Sequence, residues 1–384
     1  MRRRLVAAVV LGLGVATVGT AAAHPVRTHA VRTQPGPVAP SPGAQALARY
    51  ASMSPAQRVG QLFMAGVSST GPSSSALTAL AAHHVGNVIL VGNSSAGIAG
   101  TAGVTGELSA ALSVRGVKPF VSTDQEGGEV QRLSGPGFSN MPTALAQGRL
   151  APSTLQRRAQ TWGEQLAAAG VSVNLAPDAD TVPAGHPRAN PPIGRYDREF
   201  GDTPTVVASH AAAVVRGEDR GGVDVTVKHF PGLGRANGNT DLRRHVTDPT
   251  GPHSPYLSPF QAGIDAGAPF VMVSLATYPN IDPGRPACFS PAVITGLLRR
   301  ALGFTGIVIS DSFHAKAVRA VPPGEAAVRF FRAGGTMLLD TQRSPVYAME
   351  RAVRARVESD AGFAAVVKAD VLTVLQAKAA AGLL

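Results

Sequence analysis

From about residue 46 to the end of the chain, short apolar runs alternate with longer stretches of helical spacing. Eight runs, at residues 60–65, 85–91, 119–123, 171–175, 223–227, 270–274, 306–310 and 336–339, are nearly continuous in apolar side chains. Strands buried on both faces of a helix-covered parallel sheet read this way, whereas half-exposed strands alternate. Between the runs, residues 153–169 place Leu155, Ala159, Trp162 and Leu166 at helical spacing. Residues 290–302 open on Ser290-Pro291, a capping residue followed by a proline at the first helical position. A last helix is expected over 361–380. Eight strand-plus-helix units predict an α/β fold, a single-domain (β/α)8 barrel of the TIM type. No internal repeat and no second Pro/Gly-rich linker marks another domain.

The first 45 residues break this pattern. Residues 1–23 carry Arg2, Arg3 and Arg4, an apolar run over 5–18 and then Ala21-Ala22-Ala23, which reads as a secretory signal. The run is too short for a membrane span, so the expected product is secreted, without stable membrane insertion. Residues 24–45 are rich in Pro and lack periodicity; they are expected to form a disordered tether, with the folded domain occupying 46–384. The only cysteine, Cys288, excludes an internal disulfide and leaves no paired thiols for a metal. The net charge of +11 falls to +6 once the five arginines before residue 46 are set aside. That surplus suits an anionic polymer such as a cell wall. No basic block with interleaved aromatics argues for nucleic acid.

The active end of such a barrel lies at the carboxyl ends of its strands. Those positions hold Asp124 after the third run, Asp178 and Asp180 after the fourth, Lys228 and His229 after the fifth, Ser274 after the sixth, Asp311 after the seventh and Asp340 after the eighth. Singly, Asp124 and Asp311 would pass for helix caps or turn residues, and Asp180 and Asp340 for structural ones. Together they point to a catalytic rim. The stretch from Val225 to Asp241 is its centre: a β-branched run delivers Lys228 and His229, and Pro231, Gly232, Gly234 and Gly238 then prevent regular structure. No metal-hydrolase histidine spacing, Walker loop or Gly-x-Ser-x-Gly elbow is present. Carboxylates with hydrogen-bonding cations fit glycoside hydrolysis, with no metal or cofactor.

Five stretches carry a family resemblance: residues 124–132 (Asp-Gln-Glu-Gly-Gly-Glu-Val-Gln-Arg), 174–177 (Asn-Leu-Ala-Pro), 190–194 with 198–201, 228–232 (Lys-His-Phe-Pro-Gly) and 309–311 (Ile-Ser-Asp). In this order they resemble glycoside hydrolase family 3, specifically its single-domain bacterial β-N-acetylhexosaminidases. The resemblance implies a retaining hydrolase that removes terminal β-linked N-acetylglucosamine from peptidoglycan fragments or chitooligosaccharides, and acts as a monomer. It places Asp311 as nucleophile, and Asp124, Arg132, Arg198, Lys228 and His229 as the groups that hold the sugar. Neighbouring cations such as Lys228 are expected to depress the pKa of Asp311.

One departure stands out. The family usually carries Asp-Ser-His in the loop after Lys-His-Phe-Pro-Gly, with the histidine as acid/base, where this chain has Asn239-Thr240-Asp241. Asp241 then becomes the expected acid/base, restoring a pair of carboxyls. His245 swinging in from the same loop is a second way to supply the proton, and loss of the acid/base a third. Competing functions are accordingly a catalytically silent cell-wall sugar-binding protein, and a β-glucosidase or glycoside phosphorylase on the same barrel.

Overall fold

A computed structural model describes residues 40–384 except residue 186. The signal expectation and most of the tether expectation lie outside these residues. Within them the chain starts earlier than expected, with a helix over Pro42–Ser52 that takes in the last four residues of the anticipated tether. The Ser41 side chain accepts the N–H of Ala44 and Pro42 opens the first turn, so Ser-Pro-Gly acts here as a helix start.

Eight parallel strands follow in chain order: Phe63–Ser68, Asn87–Val91, Phe120–Thr123, Val173–Asn174, Asp224–Phe230, Phe270–Val273, Ile307–Ser310 and Leu338–Asp340. Each pairs with the next, and the eighth pairs with the first through Phe63 opposite Leu338. A parallel bridge between Ile309 and Met337 joins the seventh to the eighth and closes the barrel. Helices cover the outside, among them Pro152–Ala168, Pro204–Arg220, Pro323–Ala333 and Arg343–Ser359. The barrel residues are almost wholly buried, as the continuous apolar runs require.

Two boundaries differ from the sequence reading in ways that have a physical cause. The first strand begins at Phe63 because Ser54 caps a short helix, Pro55–Gly60, with a reciprocal Ser54–Gln57 capping box. The fifth strand runs on to Phe230, so Lys228 and His229 form the strand's own end. The expected helix near 290–302 is present as Ala292–Ala301. Its turns include bonds of five-residue span, from Gly296 N–H to Pro291 O and from Leu302 N–H to Leu297 O.

The opposite end of the barrel is closed by the last helix, Ala361–Ala380. Lys378 reaches inward from it, fully buried, and donates to Gln61 Oε1 at 2.7 Å and to the Gly86 carbonyl at 2.9 Å.

Candidate active site

The Asp-Gln-Glu-Gly-Gly motif folds as a tight hairpin, Gln125–Gly127 against Val130–Gln131, at the tip of the third strand. Each residue has a task that its type explains. Gln125 is pinned on both ends of its side chain, donating to Leu133 O at 2.8 Å and accepting from Leu133 N at 3.0 Å. Gly127 lies at φ +107°, and a β-carbon there would sit 2.2 Å from Pro142 O, so only glycine fits. Asp124 and Glu126, two residues apart in extended chain, therefore face the same way, into the barrel mouth.

There they meet a buried lysine and a largely buried arginine. Lys228 Nζ lies 2.7 Å from Asp124 Oδ1 and 2.6 Å from Glu126 Oε1. Arg198 grips Glu126 with a fork, Nε to Oε2 at 2.8 Å and Nη2 to Oε1 at 2.7 Å, and donates Nη1 to Pro192 O at 3.0 Å. Burial by itself would raise the Glu126 pKa. The charges and hydrogen bonds of Arg198 and Lys228 outweigh it and hold the carboxyl far below the ordinary range. Lys228 moves the other way: burial would lower it, but Asp124 and Glu126 raise it, so it stays an ammonium.

Successive strand residues normally face opposite ways. Lys228 and His229 nevertheless both line the cavity, and the peptide bond between them is cis. His229 Nδ1 is 2.8 Å from Asp180 Oδ2, whose Oδ1 accepts the N–H of Leu233 at 2.7 Å. Arg198 Nη2 approaches His229 Nε2 at 3.5 Å, which requires the proton of a neutral ring to sit on Nδ1. Burial lowers the His229 pKa against the pull of Asp178 and pushes Asp180 up to about 7. Asp180, read from sequence as structural, thus orients a histidine of the site.

Asp178, Asp180 and His229 bring possible ligand atoms within 4.8 Å of one another, the one such group among the described residues. Arg198 Nη2 already stands 3.5 Å from Asp178 Oδ2. The Asp180 N–H donates to Asp178 Oδ1 at 2.9 Å and His229 pairs with Asp180, while Asp178 Oδ2 takes no hydrogen bond among the described residues.

The loop after the fifth strand is built to hold Asp241 over the mouth. A β-carbon at Gly234 would lie 2.0 Å from Thr181 O, so glycine lets the chain pass close to the fourth-strand loop. Asn190 adds a second tie, donating to Leu233 O at 2.9 Å and accepting from Ile193 N at 2.9 Å. Asn239, where the family pattern has aspartate, accepts the N–H of Asp241 at 2.8 Å through Oδ1 and shapes the turn. The loop after the seventh strand completes the anchor, with Ala317 N–H on Thr240 O at 3.0 Å and Lys316 N–H on Asp241 O at 3.4 Å.

These parts surround one cavity of about 700 Å³, a volume in the range of small-molecule sites. Asp124, Arg132, Arg198, Lys228, His229, Asp241 and Asp311 all line it, as do Asn239 and the unanticipated Glu126. Arg132 stands at its edge and donates to Asn93 Oδ1 at 3.2 Å. His245 is exposed and outside this lining. Ser274 and Asp340 also lie elsewhere: Ser274 Oγ accepts the Ala276 N–H, and Asp340 caps Gln342 at 2.7 Å.

Burial outweighs the downward pull on Asp311 that was expected of its neighbouring cations. Burial pushes its carboxyl up, His229 and Lys228 pull it down, Asp241 pushes it further up, and the net direction is upward. Asp241 rises as well, through desolvation and the charge of Asp124 against the pull of Arg198. It remains exposed, so water screens part of that push. Both carboxyls on this cavity are thus displaced upward, with the Asp241 charge contributing to the shift of Asp311.

The family model described as the glycosyl hydrolase family 3 N terminal domain matches residues 55–375. The chain belongs to this family. A β-N-acetylhexosaminidase of Beutenbergia cavernae is 47% identical in solved structure, with a TM-score of 0.82 covering 85% of this chain and 99% of that one. The family 3 β-N-acetylglucosaminidase of a Paenibacillus species is 30% identical with a TM-score of 0.76, covering 86% of this chain and 63% of that one. A Beta-hexosaminidase of Xylella fastidiosa strain M23 is 40% identical over 225 residues, 56% of this chain and 64% of that protein. The match thus spans less than two thirds of that relative's length.

Proposed function

We propose that this family 3 chain is a retaining β-N-acetylhexosaminidase that removes terminal β-linked N-acetylglucosamine from peptidoglycan fragments or chitooligosaccharides. With the signal pattern of residues 1–23, the reaction would take place outside the cytoplasm. The observation that carries the reading is the meeting of Asp311 and Asp241 on one cavity whose floor is the Lys228, Asp124, Glu126 and Arg198 ion-pair network.

In this reading Asp311 attacks the anomeric carbon as carboxylate while Asp241 gives its proton to the departing glycosidic oxygen. A covalent glycosyl-enzyme forms and the aglycone leaves. Asp241, now ionised, takes a proton from water, whose oxygen displaces Asp311 with a second inversion. The division requires Asp311 charged and Asp241 neutral at the start. Hydrogen bonds from Lys228, Arg132 and Arg198 to sugar oxygens strengthen as positive charge spreads over the ring and its hydroxyls become more acidic.

The test is hydrolysis of an aryl β-N-acetylglucosaminide beside the matching glucoside, with the first-formed anomer followed by NMR. Release of β-N-acetylglucosamine is expected, and Asp311→Ala should lower kcat by about 10⁴-fold or more with an unchanged circular dichroism spectrum. Release of the α anomer, or a fully active Asp311→Ala enzyme, would overturn the mechanism.

A further inference from the structure

The charges around the cavity are sorted by loop. On the floor, Lys228 and Arg198 are matched by Asp124 and Glu126 within 2.7 Å. On the loop after the seventh strand, Lys316 and Arg319 also line the cavity, and neither takes part in a salt bridge among the described residues. His314, on the same loop, lines it too. Glu129 and Arg132, on and just after the hairpin that follows the third strand, are the remaining charged groups of the lining apart from Asp241 and Asp311, and Arg132 belongs to the groups read as holding the sugar.

Position gives these cations a direction. Lys316 donates its backbone N–H to Asp241 O, and Arg319 donates its own to Ala315 O, so the loop that carries them is fixed beside the proton donor. The proton donor faces the leaving group, so groups next to it face the aglycone. The cavity of about 700 Å³ has room for more than the terminal sugar ring. Both side chains are exposed, which leaves their charges hydrated and available to a ligand.

We propose that Lys316 and Arg319 form an aglycone subsite selective for a carboxylate-bearing leaving group, which rests on the glycosidase reading above. Exposed ion pairs are individually weak, and two cations acting on one carboxylate give a preference of about tenfold. The preference is electrostatic and falls with salt.

The experiment uses two substrates with the same sugar: the β-N-acetylglucosaminide of 4-hydroxybenzoate and that of its methyl ester. Comparing variants through the ratio of kcat/KM on the two removes the difference in leaving-group acidity. The wild-type ratio of kcat/KM, carboxylate over ester, is expected to fall as salt is raised to about 0.5 M, where the Debye length is about 4 Å. Lys316→Ala/Arg319→Ala should lower kcat/KM for the carboxylate about tenfold more than for the ester. Equal losses on both substrates, or a ratio in the double variant equal to that of the wild type, would overturn the subsite while leaving the glycosidase intact. Failure to hydrolyse either substrate would overturn both readings.

Discussion

At the scale of single residues, the informative position is Asp241, where the family pattern carries histidine. A carboxyl there is needed only as far as the leaving group needs a proton. Asp241→Ala should therefore cost about 10²- to 10⁴-fold in kcat/KM on an alkyl glycoside or disaccharide, and much less on an activated nitrophenyl substrate. Comparable losses on the two would make Asp241 a binding residue. Asp241→Asn tests the coupling itself. Because Asp241 raises Asp311, removing its charge should move the acidic limb of the kcat/KM profile to lower pH when an activated substrate is used. An unmoved limb would mean the carboxyls do not sense each other. Seven lining residues were legible in the sequence because strand ends and the family motifs point to them. Glu126 was not singled out, although its two-residue offset from Asp124 and the presence of two cations needing a counter-charge were signals for it. The upward direction of Asp311 was hidden for another reason: burial, its largest cause, depends on the assembled barrel.

At the scale of elements, the fourth strand shows how a short element can organise a site. Only Val173–Asn174 pairs in the barrel, yet Asn174 holds the hairpin by accepting the Gln125 N–H at 3.0 Å through Oδ1. Its amide donates to both oxygens of Glu218, at 3.0 and 2.9 Å, from the helix Pro204–Arg220. Glu218 is buried with no cation, and burial pushes it up to about 8 against the Asn174 hydrogen bonds. A raised carboxyl contributes stability below its unfolded pKa, near 4.3, and loses it as pH climbs through the folded value. Glu218→Gln keeps an acceptor for Asn174 and cannot ionise. Its stability relative to wild type should thus rise between pH 5 and pH 8, by on the order of a few kcal/mol, in urea titrations at both pH values. A pH-independent difference would show that Glu218 stays charged. Eight strands were readable from their apolar runs, but strand limits were not. The run at 60–65 has no turn signal between Gly60 and Phe63, and the Ser54–Gln57 capping box alone indicates that a helix occupies its start.

At the scale of the whole molecule, polar groups at the two ends of the barrel have different duties. The carboxyl ends of the strands open on the cavity, while the amino ends are plugged by Lys378, which has two neutral acceptors and no carboxylate partner in the salt bridges of the described residues. Its ammonium also lies 5.3 Å from the Phe120 ring centre, and burial still drives its pKa well below the ordinary value. Lys378→Ala leaves Gln61 Oε1 and Gly86 O without this donor and opens a void, which should cost about 2 to 4 kcal/mol. Since the plug is across the barrel from the chemistry, kcat should stay within about twofold of wild type while Tm falls by several degrees. The sign of the pH dependence is also fixed. A base whose folded pKa is depressed binds fewer protons folded than unfolded, so wild-type stability gains on the variant as pH rises toward about 10.4. Thermal melts of both proteins at pH 6, 7.5 and 9 should show the Tm gap widening. A gap that narrows would mean that Lys378 is held as an ammonium by charge outside its two acceptors.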